Sequence, residues 1–287
     1  MLLRIFLISL TALVACTGGK GNDTGALDDT GTEDVSIDLS LNFYDALSLA
    51  PLAGGEHCVL EPDLGEDSCH TTDENGGIDW TWEEPFDTNF LSRLTLENYF
   101  PTLYLGRYDE ALGATWAELF EDTGVVQLDY WAFSETMINI SLQTAGTAHQ
   151  DGMGHTLFGL ASQDGSSMAG AAIGLTNEAG ESVGEVLYAN EAGTGFDATL
   201  ESTSLRGAVT IANVAPGTYT LNLVSSDFNC VAGRSWASDV ANTSTVLIEA
   251  DTITMGSLNC TGPCSWRGSS SAPGFPWLCP GSPGAMH

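Results

Sequence analysis

Two histidines and an aspartate near the middle of the chain, His149, Asp151 and His155, are the residues best suited to chemistry. Imidazoles and carboxylates bind Zn²⁺ and related metals, and histidine is the commonest general base near neutral pH. This set defines one hypothesis, a metal-dependent or hydrolytic enzyme. The residues between them include two glycines and fix no side-chain direction, so a loop that holds two histidines by chance is the simpler interpretation. We therefore expect no metal and no other cofactor.

A second set of metal-ligand types is the quartet His57, Cys58, Cys69 and His70. Neighbouring residues of a strand point to opposite faces, so all four side chains could meet around zinc only in an irregular loop. In an oxidising compartment the two thiols should form a disulfide instead. The quartet therefore predicts a Cys58–Cys69 bridge flanked by two imidazoles.

The segment Gly180–Gly184 matches the G-x-S-x-G pattern of a serine nucleophile elbow. An elbow needs a strand before it, a helix after it, and a histidine that activates the serine. The segment lies between short predicted strands, and the only downstream histidine is His287 at the terminus. We interpret it as a hairpin turn, and we assign no catalytic residue in this chain.

A pair of tryptophans, Trp80 and Trp82, is spaced so that both side chains share one face of a predicted strand. Such a pair can stack sugar rings, as in carbohydrate-binding sandwiches, or it can fill a protein core. Glycan stacking by Trp80 and Trp82 is thus a further functional hypothesis beside the enzyme.

The first sixteen residues carry one charge, Arg4, before an apolar run that ends in Leu13-Val14-Ala15-Cys16. This is the pattern of a secretory signal, too short to span a bilayer as a mature helix. Its last four residues resemble a bacterial lipobox, which implies cleavage before Cys16 and a diacylglycerol on the Cys16 sulfur. The lipid would anchor the protein to a membrane of the bacterial envelope. Because Thr17 stands where many inner-membrane lipoproteins of Gram-negative bacteria have Asp, we expect the outer membrane.

The chain is strongly acidic, with 38 Asp and Glu residues against 7 Lys and Arg and a formal net charge of −31. Loss of Arg4 with the signal makes the charge −32. Such a surface repels nucleic acid and anionic headgroups, which excludes both as partners. At 43% hydrophobic residues the chain can still build cores, so global disorder is excluded too.

Seven cysteines are present, and lipidation of Cys16 leaves an even number for disulfides. Six cysteines allow fifteen pairings. Closeness in sequence favours Cys58–Cys69 first, followed by Cys230–Cys260 and Cys264–Cys279.

Strand patterns lie on both sides of a central stretch of different character. Residues 35–43 alternate apolar and polar side chains, which is typical of a strand with one buried face. Other short apolar segments follow, separated by turns rich in Gly, Asn, Asp and Pro. The predicted organisation is a signal peptide (1–15), a flexible acidic tether (16–34), a first β-sandwich (35–105), a connector with short helices (106–150), a second β-sandwich (151–260) and an irregular tail rich in Pro, Gly and Ser (261–287).

Two short helices are candidates within the connector. Thr115–Glu118 is a capping box that would begin a helix ending near Asp122. Ser134–Gln143 fits a second helix, but Ile138 and Ile140 could equally alternate in a strand. The sequence leaves that choice open.

Motifs of the second strand-rich segment resemble carboxypeptidase-regulatory-like, prealbumin-type domains, which are relatives of the Cna-B-like sandwiches. The Asp164-Gly165 turn followed by Met168–Ile173 resembles the opening motif of this family, and Val214–Leu221 resembles its late P-P-G-x-Y-x-L motif. In the first segment, Pro51–Gly54 and Thr72–Gly76 carry the resemblance. It implies a mostly β fold with two tandem prealbumin- or Ig-like β-sandwiches.

The resemblance also implies a non-catalytic module, because its motifs are turns and core positions. Cna-B-type domains often contain a Lys–Asn isopeptide bond, but no lysine follows Lys20, so neither sandwich can form it. The sequence thus favours an envelope-anchored lipoprotein that acts as a structural or binding module for an envelope protein or a glycan. The alternative is an enzyme that uses His149, Asp151 and His155.

Overall fold

The structure is a computed structural model that describes residues 37–61, 68–82, 89–107, 125–162, 166–224, 228–238 and 240–261. Several predictions fall outside these residues: the signal, the tether, lipidation of Cys16, the helix at Thr115, and the tail with Cys264 and Cys279. The described part is mostly β, with three sheets and one α-helix, which confirms the predicted fold class.

The elements follow one another as a run of short strands interrupted once by a helix. They are β1 (Ile37–Asp45), β2 (Glu56–Glu61), β3 (Cys69–Thr71), β4 (Gly77–Trp82), β5 (Asn89–Thr95), β6 (Thr102–Arg107), β7 (Val126–Ala132), α1 (Glu135–Thr144), β8 (Gly154–Ser162), β9 (Ile173–Thr176), β10 (Glu185–Ala189), β11 (Phe196–Asp197), β12 (Ala208–Val214), β13 (Gly217–Leu223), β14 (Asn229–Ala232), β15 (Trp236–Ala237), β16 (Thr243–Ile248) and β17 (Ile253–Thr261).

The alternating pattern at the start of the first segment forms β1 as expected. Leu39, Leu41 and Phe43 are buried on one face, while Ser40 and Asn42 lie on the other. β1 is the central strand of a three-stranded sheet, antiparallel to β4 and parallel to β7. The range predicted as a connector therefore also contributes a strand, β7.

A ten-stranded sheet runs through both strand-rich segments in the order β11-β10-β12-β8-β17-β6-β5-β2-β3, with β14 paired to β17. β17 makes the join, because it pairs in parallel with β6 on one side and with β8 on the other. The predicted ranges 35–105 and 151–260 consequently share one sheet. A four-stranded sheet, β15-β16-β13-β9, completes the fold.

The two faces of the ten-stranded sheet bury different cores. On β6, Leu103 and Leu105 join a core with the four-stranded sheet, whereas Tyr104 joins a core with the three-stranded sheet. A third core lies under α1 and includes Ile253 of β17. Two of these cores combine side chains of both strand-rich segments, and the shared sheet lies between the layers.

The helical alternative for Ser134–Gln143 is the one that forms. The Ser134 side chain caps α1 by accepting a hydrogen bond from the Met137 amide at 3.3 Å. Met137, Ile138 and Leu142 are buried on one side, the spacing of a helix that packs on a sheet. Among the described residues, no helix combines the length and the hydropathy of a membrane-spanning segment.

Candidate functional site

The two histidines of the central stretch meet where two loops converge at one end of the ten-stranded sheet. His155 is the second residue of β8, and His149 lies in the loop of residues 145–153 that joins α1 to β8. Ile253 at the start of β17 is the register partner of His155. That pairing brings the turn between β16 and β17, with Asp251, up to the histidines.

A chain of close polar contacts connects four residues here, which we call the histidine relay: Asp251, His149, His155 and Asn213. His149 Nδ1 lies 2.9 Å from His155 Nε2, and His149 Nε2 lies 3.2 Å from Asp251 Oδ1. At the other end, the backbone N–H of Asn213 donates to His155 Nδ1 at 3.3 Å. The relay thus joins β8, β12 and two loops.

Only one arrangement of protons satisfies every bond of the relay while both imidazoles are neutral. A backbone N–H can only donate, so His155 Nδ1 must be the acceptor and Nε2 must carry the proton. His155 Nε2–H then donates to His149 Nδ1, which leaves the His149 Nε2–H facing the Asp251 carboxylate. Three of the four ring nitrogens are hydrogen-bonded, and the fourth lies beside the carboxylate.

Further hydrogen bonds hold the loop of residues 145–153 around the relay. The Gly152 amide donates to Asp251 Oδ1 at 2.7 Å. The Asn213 side chain accepts from the Gln150 amide at 3.1 Å and donates to the Ala148 carbonyl at 2.9 Å. Asn213 itself has a φ of 55°, at an irregularity in the pairing of β12 with β8. The relay is therefore tied to the backbone at both ends.

Burial sets the protonation of the inner histidine. His155 is 2% exposed, and the Phe100 ring packs edge-on against both imidazoles, with centroid distances of 5.9 Å to His155 and 5.1 Å to His149. Burial and, to a smaller extent, the neighbouring His149 together lower the pKa of His155 to about 4, against the opposing effect of Asp251. At neutral pH His155 is uncharged.

This arrangement differs from the predicted triad in its acid. Asp151 is exposed, and the carboxylate that contacts His149 belongs to Asp251. Asp251 follows strand β16, far from the histidines in sequence, and only the β8–β17 pairing brings it close. No pattern in the sequence marks Asp251 as a neighbour of the histidines.

The ring nitrogens of the relay face other groups of the protein. Within the part of the chain that the structure describes, no three His, Cys, Asp or Glu side chains are placed to hold a metal ion. The facing nitrogens of His149 and His155 bond to each other, and their other nitrogens face the Asp251 carboxylate and the Asn213 N–H.

The cysteine–histidine quartet is divided between the two faces of the β2–β3 pair. Cys58 and Cys69 are register partners and form a disulfide, as predicted. His57 and His70 are the adjacent partner pair and lie on the opposite face. The alternation of side chains along a strand thus separates the imidazoles from the sulfurs.

The other described cysteines confirm a second predicted pair. Cys230 of β14 and Cys260 of β17 are register partners joined by a disulfide, and both are buried.

His57 is fully buried beside the Phe43 ring, at a centroid distance of 5.0 Å. Neither of its ring nitrogens has a hydrogen-bond partner among the described residues. Burial lowers the pKa of His57 to about 3, and the charge of His70 contributes in the same direction. His57 is thus a neutral imidazole that serves as part of a core.

The G-x-S-x-G segment forms a turn followed by a strand, β10, and not by a helix. Gly180 and Gly184 have φ values of +78° and +73°, which favour glycine. A Cβ on Gly184 would also lie 2.6 Å from methyl groups of Ile211 and Val214. Backbone geometry and packing account for both glycines.

Trp80 lies against the core under the three-stranded sheet, and its ring is 5.1 Å from that of His70. The side chain of Trp82 is outside what the structure describes. Glycan stacking by this pair therefore stays a prediction.

A cavity of about 220 Å³ lies between α1 and the ten-stranded sheet. Its lining is mainly apolar, with Leu142 and Phe196 among the larger side chains and Gly159 and Ala208 among the small ones. His155 borders it, so the relay lies at one side of the cavity.

Comparisons with known proteins give no family. Neither a scan against protein-family models nor a search of curated proteins found a match. Among solved structures, the chain is similar to the Bacillus anthracis TIE protein at 11% identity and a TM-score of 0.25, covering 79% of this chain and 34% of that one. It is also similar to a minor pilin of Streptococcus agalactiae (12%, TM-score 0.27, 84% of this chain and 100% of that one). The shaft pilin SpaA of Lactobacillus rhamnosus GG gives 10%, a TM-score of 0.24, and coverages of 79% and 98%. These TM-scores are too low to carry an argument about function.

Proposed function

We propose that this protein is a non-catalytic lipoprotein of the bacterial envelope that acts as a structural or binding module for an envelope protein or a glycan. The observation that carries the proposal is the use of the histidines. His149 and His155 are the side chains best suited to chemistry, and their ring nitrogens contact each other, the Asn213 N–H and the Asp251 carboxylate.

Two further features support an exported location. The disulfides Cys58–Cys69 and Cys230–Cys260 suit an oxidising compartment. The N-terminal pattern that ends at Cys16 supplies a route of export and an anchor. The lipid on Cys16 would hold the protein at the membrane, and Thr17 favours the outer one.

The acidity of the chain limits the partner. With a charge near −31, the surface favours a neutral glycan or a basic protein face over any anionic partner. Affinity capture from native envelopes with the exported chain, made soluble by Cys16→Ala, would identify the partner.

The proposal is tested in a strain that lacks the gene and shows an envelope phenotype. Asp251→Asn keeps an oxygen that accepts from His149 and Gly152 but removes the carboxylate. For comparison, removal of the aspartate charge from a Ser-His-Asp triad lowers kcat about 10⁴-fold. We expect the Asp251→Asn protein to restore wild-type behaviour to the deletion strain fully. The Cys16→Ala protein should not restore it, because the protein is no longer anchored. An Asp251→Asn protein that is folded and abundant yet behaves like the deletion would overturn the proposal in favour of an enzyme.

A further inference from the structure

Uptake of one proton by the histidine relay breaks the same bond whichever imidazole carries the charge. If His155 is protonated, its Nδ1 gains a hydrogen that faces the Asn213 N–H. If His149 is protonated, its Nδ1–H donates to His155 Nε2, and the His155 proton must move to Nδ1. In both cases two donors face each other at His155 Nδ1, and the Asn213 amide loses its acceptor.

The opposite end of the relay gains from the same proton. A protonated His149 forms an ion pair with Asp251, whose oxygen is 3.2 Å from His149 Nε2. The Asp251 side chain is 54% exposed, so the proton has access from this end. Protonation therefore strengthens the link between His149 and Asp251 and breaks the link between His155 and β12.

Asn213 is the residue through which the loop is held to β12. Besides the relay, its side chain bonds the Gln150 amide and the Ala148 carbonyl. Because its φ of 55° is unusual for a residue other than glycine, the surrounding bonds must maintain this conformation. Protonation of the relay removes the bond between the Asn213 amide and His155 and replaces it with a repulsive contact between two N–H groups.

We propose that the histidine relay is an acid-sensitive latch that holds the loop of residues 145–153 against β12 and releases it when the relay takes up one proton. The loops that carry His149 and Asp251 also contain the carboxylates of Asp151 and Glu249, and the loop that carries Phe100 contains Glu97. Glu249 is paired with Arg93 of β5 at 3.1 Å. The released state keeps the Gly152 amide bonded to Asp251 and loses the bonds made by Asn213. This inference does not depend on the proposed function.

The latch is tested by amide hydrogen exchange of the exported chain between pH 7.5 and pH 4.5, corrected for the intrinsic effect of pH on exchange. Below about pH 6.5, the ordinary pKa of histidine, we expect protection of the Asn213 and Gln150 amides to fall about tenfold per pH unit, since opening takes up one proton. Two amides serve as internal controls. The Gly152 amide donates to Asp251, and the Leu160 amide of β8 donates to the Gly207 carbonyl. Both should keep their protection over the same range.

A double variant, His149→Gln with His155→Gln, removes both imidazoles and should abolish the pH dependence at Asn213. If it fails to fold, the comparison of amides within the unmodified protein still decides. Protection of Asn213 that does not change with pH, or a parallel loss at Leu160, would overturn the latch. The same conclusion would follow if the folded double variant kept the wild-type slope.

Discussion

At the scale of residues, three imidazoles of this protein, those of His57, His149 and His155, contact other groups inside the structure. His149 and His155 bond each other, His155 also accepts from the Asn213 N–H, and His57 is enclosed by aromatic side chains. A buried neutral imidazole contributes to stability only while it remains uncharged. Acid is therefore expected to weaken the protein through its histidines before most carboxylates are protonated.

His57 provides the clearest case, because its folded-state pKa of about 3 lies below the ordinary value of 6.5. The unfolded chain binds this proton first, so stability that is complete above pH 6.5 is lost as the pH falls toward 3. We expect His57→Leu to raise the free energy of unfolding by about 1 kcal/mol at pH 7.5, since it removes an unpaired buried polar group. At pH 5 the gain should be larger by about 1–2 kcal/mol.

The control is His57→Gln, which is polar but does not titrate. It should show no gain at pH 7.5 while losing the same part of the pH dependence. Urea unfolding of the three proteins at the two pH values gives the comparison. Equal stability of His57→Leu and wild type at both values would show that the imidazole has a partner.

Some residues of the candidate site could be predicted from the sequence, and others could not. Histidine positions 149 and 155 were recognisable as a pair because they are neighbours in sequence, and the bridge between Cys58 and Cys69 followed from their closeness in sequence and the expected oxidising compartment. Asp151 was the wrong acid, since proximity in sequence says nothing about which strand lies beside β8. The unpartnered burial of His57 likewise depends on packing between sheets.

At the scale of elements, Gly159 of β8 and Gly256 of β17 lie on neighbouring strands but differ in the space that a Cβ would have. A Cβ on Gly159 would have no heavy atom of the described residues within 4 Å, whereas a Cβ on Gly256 would collide with the Phe158 ring. Gly159→Ala should raise the free energy of unfolding by about 0.5–1 kcal/mol, because alanine restricts the unfolded chain.

Gly256→Ala is the matched variant and should lower the free energy of unfolding by about 1–3 kcal/mol through overpacking. Chemical denaturation of both variants measures the difference. A loss of stability in Gly159→Ala equal to that in Gly256→Ala would mean that the cavity beside β8 is filled.

The elements that the sequence predicts best are those with a strong local pattern. β1 and β13 show alternation, and both form strands. α1 was ambiguous because Ile138 and Ile140 fit a strand, and the Ser134 cap with burial of Leu142 decides for a helix. β7 was missed, since its neighbour β1 supplies the reason for its pairing and the two are far apart in sequence.

At the scale of the molecule, the segments before residue 105 and after residue 151 are joined by one sheet. Beyond the pairing of β17 with β6 and β8, side chains cross between them. Arg93 pairs with Glu249, and the Trp236 indole donates to the Phe90 carbonyl at 3.0 Å. Arg234 joins the second segment to β7 by donating to the Asp129 carbonyl at 2.8 Å. Local sequence patterns cannot predict such pairings, because a strand with one apolar face can pair with any strand whose apolar face lies on the same side of the sheet.

The central claim is that this shared sheet makes the strand-rich segments a single cooperative unit. Differential scanning calorimetry of the exported chain with Cys16→Ala, at pH 7.5 and with disulfides intact, tests it directly. We predict one transition whose calorimetric enthalpy equals its van't Hoff enthalpy, because neither segment can unfold without breaking the β6–β17–β8 pairing. Two separate transitions, or a fragment of residues 151–261 that unfolds at the same temperature as the whole chain, would contradict the account.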